Sequence, residues 1–153
     1  MLNKLLSQLL QKPEKTEPFH STYIENPYAD QYYKHMEKIE VMWSVLQNLK
    51  AFNTQQAYDL EKACIENIQE FKLYASACQY EPPRKVRAYI RLATLYEKQE
   101  RWDDGIKVCV EAIKSGAYED GSNGKMYGRL ARLIKKSGKN VSEDILMLTK
   151  ENH

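Results

Sequence analysis

Beyond residue 29, apolar residues recur at every third or fourth position over most of the chain, which is the spacing of an amphipathic helix. The most regular run covers residues 84–114 and predicts two antiparallel helices. The apolar face of the first predicted helix consists of Tyr89, Leu92, Ala93 and Tyr96. The apolar face of the second consists of Gly105, Ile106, Cys109, Ala112 and Ile113. Small residues let two helix backbones approach closely, so Ala93, Gly105 and Ala112 mark the predicted crossing.

Another helical hairpin is predicted before this one, at about residues 30–80. Asp30 is the expected N-cap of its first helix, whose apolar positions are Tyr33, Met36, Ile39, Met42, Trp43, Leu46 and Leu49. Asn53 or Thr54 is expected to cap the second helix, which ends before Pro82. The apolar face of this helix is Ala57, Leu60, Cys64, Ile68, Phe71, Tyr74 and Cys78. The short connection predicts that the two helices are antiparallel neighbours.

A third hairpin is predicted at about residues 124–150, after a turn-rich stretch at residues 116–124. Its first helix repeats the apolar set that begins at Tyr89 after an offset of 38 residues, as Tyr127, Leu130, Ala131 and Ile134. Gly138 is placed to end this helix. An Asn140 to Glu143 capping box is expected to open the last helix, whose inward residues are Val141, Ile145 and Leu148.

The first 29 residues follow a different pattern. Leucines at positions 2, 5, 6, 9 and 10 predict a short amphipathic helix, and residues 13–29, with three of the five prolines, predict an extended linker. A helix of about ten residues is not stable alone in water. It must therefore dock on its own domain, on a copy of itself or another partner, or on a membrane surface.

The sequence thus predicts an all-α fold. Its antiparallel helical hairpins are expected to stack as a short α-α superhelix over residues 30–153, and residues 1–29 form the amphipathic helix and linker. A chain of 153 residues with 42% hydrophobic and 29% charged residues is suited to one globular domain.

The spacing of residues 89–112 resembles the tetratricopeptide repeat (TPR), which pairs two helices through an aromatic, a leucine, a small residue and a tyrosine, followed by a small residue and, four positions later, a large one. Tyr89, Leu92, Ala93 and Tyr96 match the first helix of that pattern, and Gly105, Cys109 and Ala112 match the second. Glu100 stands where the family usually has a turn glycine, and the closing proline is missing. The resemblance implies a TPR-like scaffold for protein–protein interaction.

Charge is concentrated in the middle of the chain, where residues 84–139 hold fourteen lysines and arginines against seven acidic residues. Seven of these basic residues, together with Thr94, share one face of the first helices of two successive hairpins: Arg87, Arg91, Lys98, Lys125, Arg129, Arg132 and Lys136. The TPR resemblance implies that this face lines a peptide-binding groove, and that Lys125 and Arg129 stand at two carboxylate-clamp positions. Arg91 and Thr94 occupy candidate positions of the clamp asparagines.

The favoured function is a non-catalytic adaptor or scaffold that binds an acidic peptide or protein segment, because arginine and lysine recognise carboxylates. The same basic face could serve a nucleic-acid-associated accessory protein or be only a solvated surface. A structural role, with two copies paired through the N-terminal helix, is a further alternative.

We expect no enzymatic activity, cofactor or metal site. The only histidines, His20, His35 and His153, are scattered, and no motif joins one of them to a nucleophile, although His35 and Cys64 could be drawn as a pair across adjacent helices. The three cysteines lack metal-ligand spacing and are expected to be buried, reduced thiols. No transmembrane run or signal peptide is apparent. The sequence therefore predicts a cytoplasmic protein that does not bind membranes.

Overall fold

The computed structural model describes residues 25–150, and this part of the chain is all-α, as predicted. It contains six helices: α1 Ala29–Leu49, α2 Gln55–Ser76, α3 Arg87–Lys98, α4 Trp102–Lys114, α5 Lys125–Ser137 and α6 Glu143–Leu148. The leucine-rich segment and most of the linker lie outside the described residues. None of the helices within residues 25–150 has the length and apolar character needed to cross a membrane.

Successive helices from α1 to α5 pack against each other, and α1 also contacts α3. In the first hairpin, Asn26 before α1 donates to the Tyr74 carbonyl near the end of α2 at 2.8 Å. In the second, the Cβ that Gly105 lacks would lie 3.7 Å from Tyr96 Cβ, so the start of α4 lies close to the end of α3. One buried core runs through α1 to α5. The predicted apolar faces of α3 and α4 are confirmed, since every residue named for them is buried.

The first hairpin differs from the prediction in the face that α1 buries. Tyr32 is buried, whereas Tyr33 and Leu49 are exposed. Tyr32 packs on two aromatic residues of α2, with ring centroids 5.1 Å from Tyr74 and 5.6 Å from Phe71, so packing against α2 favours burial of Tyr32. Asp30 is not the N-cap: Tyr28 occupies that position, and Asp30 lies in the first turn.

The predicted cap of α2 is confirmed at Thr54, whose side chain accepts a hydrogen bond from the Ala57 amide. Cys64 is buried, but the prediction that all three cysteines are buried is wrong for Cys78. Cys78 follows the end of α2 and is only partly buried.

The third hairpin also departs from its predicted core pattern. Ala131 is exposed, and the buried residues of α5 are Met126, Leu130 and Leu133. The helix that follows, α6, has only six residues and packs against α4. Its N-cap is Ser142, which accepts from the Ile145 amide, and not Asn140.

The turn-rich loop between α4 and α5 is held against the start of the second hairpin. The Glu119 amide donates to the Arg84 carbonyl at 2.9 Å, and the Met126 amide donates to the Tyr118 carbonyl at 2.9 Å. Ala117 is buried. These contacts therefore hold Asp120, the residue after Glu119, at a fixed position beside α5.

Candidate partner-binding groove

An open groove lies between α1, α3 and α5, which are the first helices of the three hairpins. Its volume is about 1130 Å³. Its wall contains three aromatic residues, Trp43, Phe52 and Trp102. Its charged residues are Lys50, Arg91, Lys98, Arg129, Arg132 and Lys136, with Glu97, Glu100 and Asp120. Cations thus outnumber anions by six to three along the wall.

The structure brings five of the seven sequence-predicted site residues to this groove: Arg91, Lys98, Arg129, Arg132 and Lys136. Arg87 and Lys125 do not line it. Arg87 lies 3.2 Å from Glu40, and Lys125 lies 3.1 Å from Glu119. The structure thus brings most of these basic residues together, but not the N-terminal residue of either helix.

Glu97 on α3 is the main counter-charge in the groove. Arg132 on α5 donates two hydrogen bonds to its carboxylate, each of 2.9 Å, and Lys136 donates another of 2.8 Å. These hydrogen bonds, those from Arg132 first, outweigh the effect of burial and lower the pKa of Glu97 to about 2. The two cations therefore connect α3 to α5 through Glu97.

Arg129 is similarly engaged. It donates to Thr94 at 3.0 Å and lies 3.3 Å from Asp120, whose side chain is only 2% exposed. Burial raises the pKa of Asp120, but hydrogen bonds from Ser122 and the charge of Arg129 outweigh it, so this pKa lies below its ordinary value. Because the loop fixes Asp120, the half-buried Arg129 connects α5 to the loop.

The contact between α1 and α3 depends on Glu40. Arg91 donates to both of its carboxylate oxygens, at 2.6 and 3.1 Å. The Arg91 guanidinium also lies 5.4 Å from the centre of the Trp43 ring. Glu40 therefore balances the charge of Arg91. The sequence pattern of α3 shows Arg91 as a basic residue but does not show this partner on α1.

Lys50 and Lys98 differ from the other cations of the groove, since no carboxylate within residues 25–150 lies within 4 Å of either ammonium group. The Lys98 ammonium lies 5.8 Å from the centre of the Phe52 ring. The two lysines stand at the same end of the groove, because Gln99 donates to the Phe52 carbonyl at 2.7 Å and joins the end of α3 to the loop after Lys50. This end therefore combines uncompensated positive charge with aromatic surface.

The aromatic residues of this end were missed as site residues. The apolar spacing of α1 placed Trp43 in the core, and it is indeed buried. Trp102 follows a turn and belongs to no stripe. The Lys136 ammonium lies 5.7 Å from the centre of the Trp102 ring. The sequence does not indicate this contact, because the two residues are far apart in the chain and meet only in the folded protein.

The structure does not align His35 with Cys64, the one pair that could be drawn from the sequence as a base and a nucleophile. His35 lies 2.5 Å from Glu70, so it is not aligned on Cys64 as a base. Burial raises the pKa of the Cys64 and Cys109 thiols to about 12, which disfavours a nucleophilic thiolate. No group of three or more His, Cys, Asp and Glu side chains suited to a metal ion occurs between residues 25 and 150.

Comparison of the chain with protein-family models, with curated proteins and with solved structures finds no match.

Proposed function

We propose that this chain is a TPR-like, non-catalytic interaction module whose groove binds an acidic segment of another protein. The observation that carries the proposal is the pair Lys50 and Lys98, two uncompensated cations beside aromatic surface at one end of an open groove. A ligand that brings carboxylates to this end gains charge-assisted hydrogen bonds without breaking an existing ion pair.

The groove size favours a peptide segment over a small molecule. Pockets for small ligands usually enclose roughly 300–1000 Å³ and bury most of the ligand, whereas this groove of about 1130 Å³ is open along three helices. The aromatic rings add a surface for an apolar side chain. The segment that fits best therefore has acidic residues next to a leucine or an aromatic residue.

The cations of the groove that have carboxylate partners have another role in this proposal: they hold the helices together. Arg132 and Lys136 hold α5 to α3 through Glu97, and Arg91 holds α3 to α1 through Glu40. Reversing their charges would alter the shape of the groove as well as its potential. Lys50 and Lys98 are the cleaner positions for a test.

The test measures binding of fluorescein-labelled peptides that place glutamates beside leucine or phenylalanine, with glutamine-substituted peptides of the same length as the comparison. The acidic peptides should bind at least about tenfold more tightly, and the Lys50→Glu/Lys98→Glu variant should lose at least about tenfold of that affinity. The control is Lys107→Glu, an exposed α4 residue outside the groove.

Equal binding of acidic and glutamine peptides would overturn the proposal. Undiminished binding to the Lys50→Glu/Lys98→Glu variant would do the same. A mixed-sequence single-stranded oligonucleotide serves as competitor. If it displaces the peptide at a lower concentration than the unlabelled acidic peptide does, with steep salt dependence, the groove would be assigned to nucleic acid instead.

A further inference from the structure

An apolar stripe on α1 faces away from the core. Val41, Val45 and Leu49 follow one another at intervals of four residues, so they lie on one side of the helix. Their side chains are 65%, 50% and 71% exposed. Three branched aliphatic residues in succession on one helix face form a surface that a partner would normally cover.

The residues before Glu25 contain a segment of matching character. Its five leucines, at positions 2, 5, 6, 9 and 10, fall on one side of a helical pattern and need an apolar surface. As a helix, Leu2 to Leu10 would span about 12 Å, and the stripe from Val41 to Leu49 also spans about 12 Å at 1.5 Å per residue. The two surfaces therefore match in length and character.

The intervening chain is long enough to connect them. The described chain begins beside the start of α1, where Asn26 is bound to the Tyr74 carbonyl. Val45 lies sixteen residues into α1 from Ala29, about 24 Å along the axis, and the fifteen residue steps from Leu10 to Glu25 can span up to roughly 50 Å. A short tether also gives the segment an effective concentration of about millimolar order at its own domain, which favours self-docking over another molecule.

We infer that residues 2–10 dock on the Val41, Val45 and Leu49 stripe of α1 in the same molecule. The segment then covers the open edge of the first hairpin. This inference does not depend on the function proposed for the groove, because the stripe is not part of the groove wall.

The test uses the full chain and measures the initial rate of tryptic cleavage after Lys4, followed by intact-mass spectrometry. The Val41→Gln/Val45→Gln/Leu49→Gln variant keeps good helix formers on α1 and removes the apolar stripe. We expect cleavage after Lys4 to be at least about tenfold faster in this variant, because proteolysis follows the population of the undocked segment. The matched control is Tyr58→Gln/Ile65→Gln/Leu73→Gln, which replaces three exposed apolar residues of α2.

Wild-type protection that is independent of protein concentration, together with a monomeric solution mass, would support docking within one molecule. A doubled mass with protection that rises with concentration would overturn the inference in favour of a second copy. Equal cleavage rates in the wild type and the α1 variant would overturn it as well, as would the same acceleration in the α2 control. Circular dichroism of each variant separates loss of docking from unfolding.

Discussion

Arg132 binds Glu97 through two hydrogen bonds of equal length, 2.9 Å, and so connects α5 to α3 on the groove side of the molecule. The Glu97 side chain is 13% exposed, and Lys136 is a second cation on the same carboxylate. Since α3 and α5 both pack on α4, this contact fixes the width of the groove between them. The geometry of the groove therefore depends on the ion pairs of Glu97 with Arg132 and Lys136.

Replacing Glu97 by glutamine should destabilise the protein. The variant keeps the side-chain shape but leaves Arg132 and Lys136 without their counter-charge. We expect a loss of about 1 kcal/mol in the free energy of unfolding, which corresponds to a fall of about 2–4 °C in Tm for a chain of this size. Urea denaturation and thermal melting measure it. Glu100→Gln is the control, because Glu100 is an exposed groove residue without an ion pair among residues 25–150; an equal loss in that variant would contradict the assignment.

The same carboxylate should make stability depend on pH. The pKa of Glu97 is lowered to about 2 in the folded protein, against about 4.3 in an unfolded chain. A group with a lowered folded-state pKa stabilises the fold fully above its unfolded pKa, and this contribution disappears as the pH falls through the folded pKa. We expect the stability difference between wild type and Glu97→Gln to shrink between about pH 4.3 and pH 2, as measured by urea denaturation at several pH values. A difference that stays constant over this range would show that Glu97 does not titrate as assigned.

The helices could be predicted from the sequence because their apolar periodicity is regular, and α3 and α4 bury every residue expected. The choice of Tyr32 over Tyr33 could not be predicted, since adjacent tyrosines have the same polarity. In the fold Tyr32 packs on both Phe71 and Tyr74, whereas Tyr33 contacts Tyr74 edge-on and stays exposed. Ala131 is exposed although its spacing matches that of Ala93, and the helix that follows it, α6, has only six residues. Patterns within one helix do not show how far the next helix extends over it.

Part of the candidate site, the basic residues of α3 and α5, could be predicted from the sequence. The spacing of basic residues on α3 and α5 is local, so their common face could be read from the sequence. Their counter-charges lie on other elements: Glu40 of α1 pairs with Arg91, a loop carboxylate, Asp120, pairs with Arg129, and Glu97 of α3 pairs with Arg132 and Lys136 of α5. A count of charges along the sequence therefore does not show which of the basic residues have a carboxylate partner in the fold.

Cysteine reactivity provides a prediction about packing. Cys64 and Cys109 are buried, and their pKa values are raised to about 12, whereas Cys78 is partly exposed. We expect iodoacetamide at pH 8 to alkylate Cys78 first in the native protein, and the other two only after local or global unfolding. Peptide mass spectrometry over time identifies the modified residue. Alkylation of Cys64 at the rate of Cys78 would contradict the burial of that thiol.

Glu100 offers a prediction about backbone strain. It follows α3 with φ of 58°, a left-handed conformation that costs a residue with a side chain roughly 1–2 kcal/mol and costs glycine little. Because glycine also gives the unfolded chain more freedom, Glu100→Gly should stabilise the protein by a net amount of about 0.5–1 kcal/mol. The control is Glu100→Ala, which removes the same carboxylate but keeps the strained conformation. If the alanine variant gains as much stability in urea denaturation as the glycine variant, the gain comes from the charge and not from the backbone.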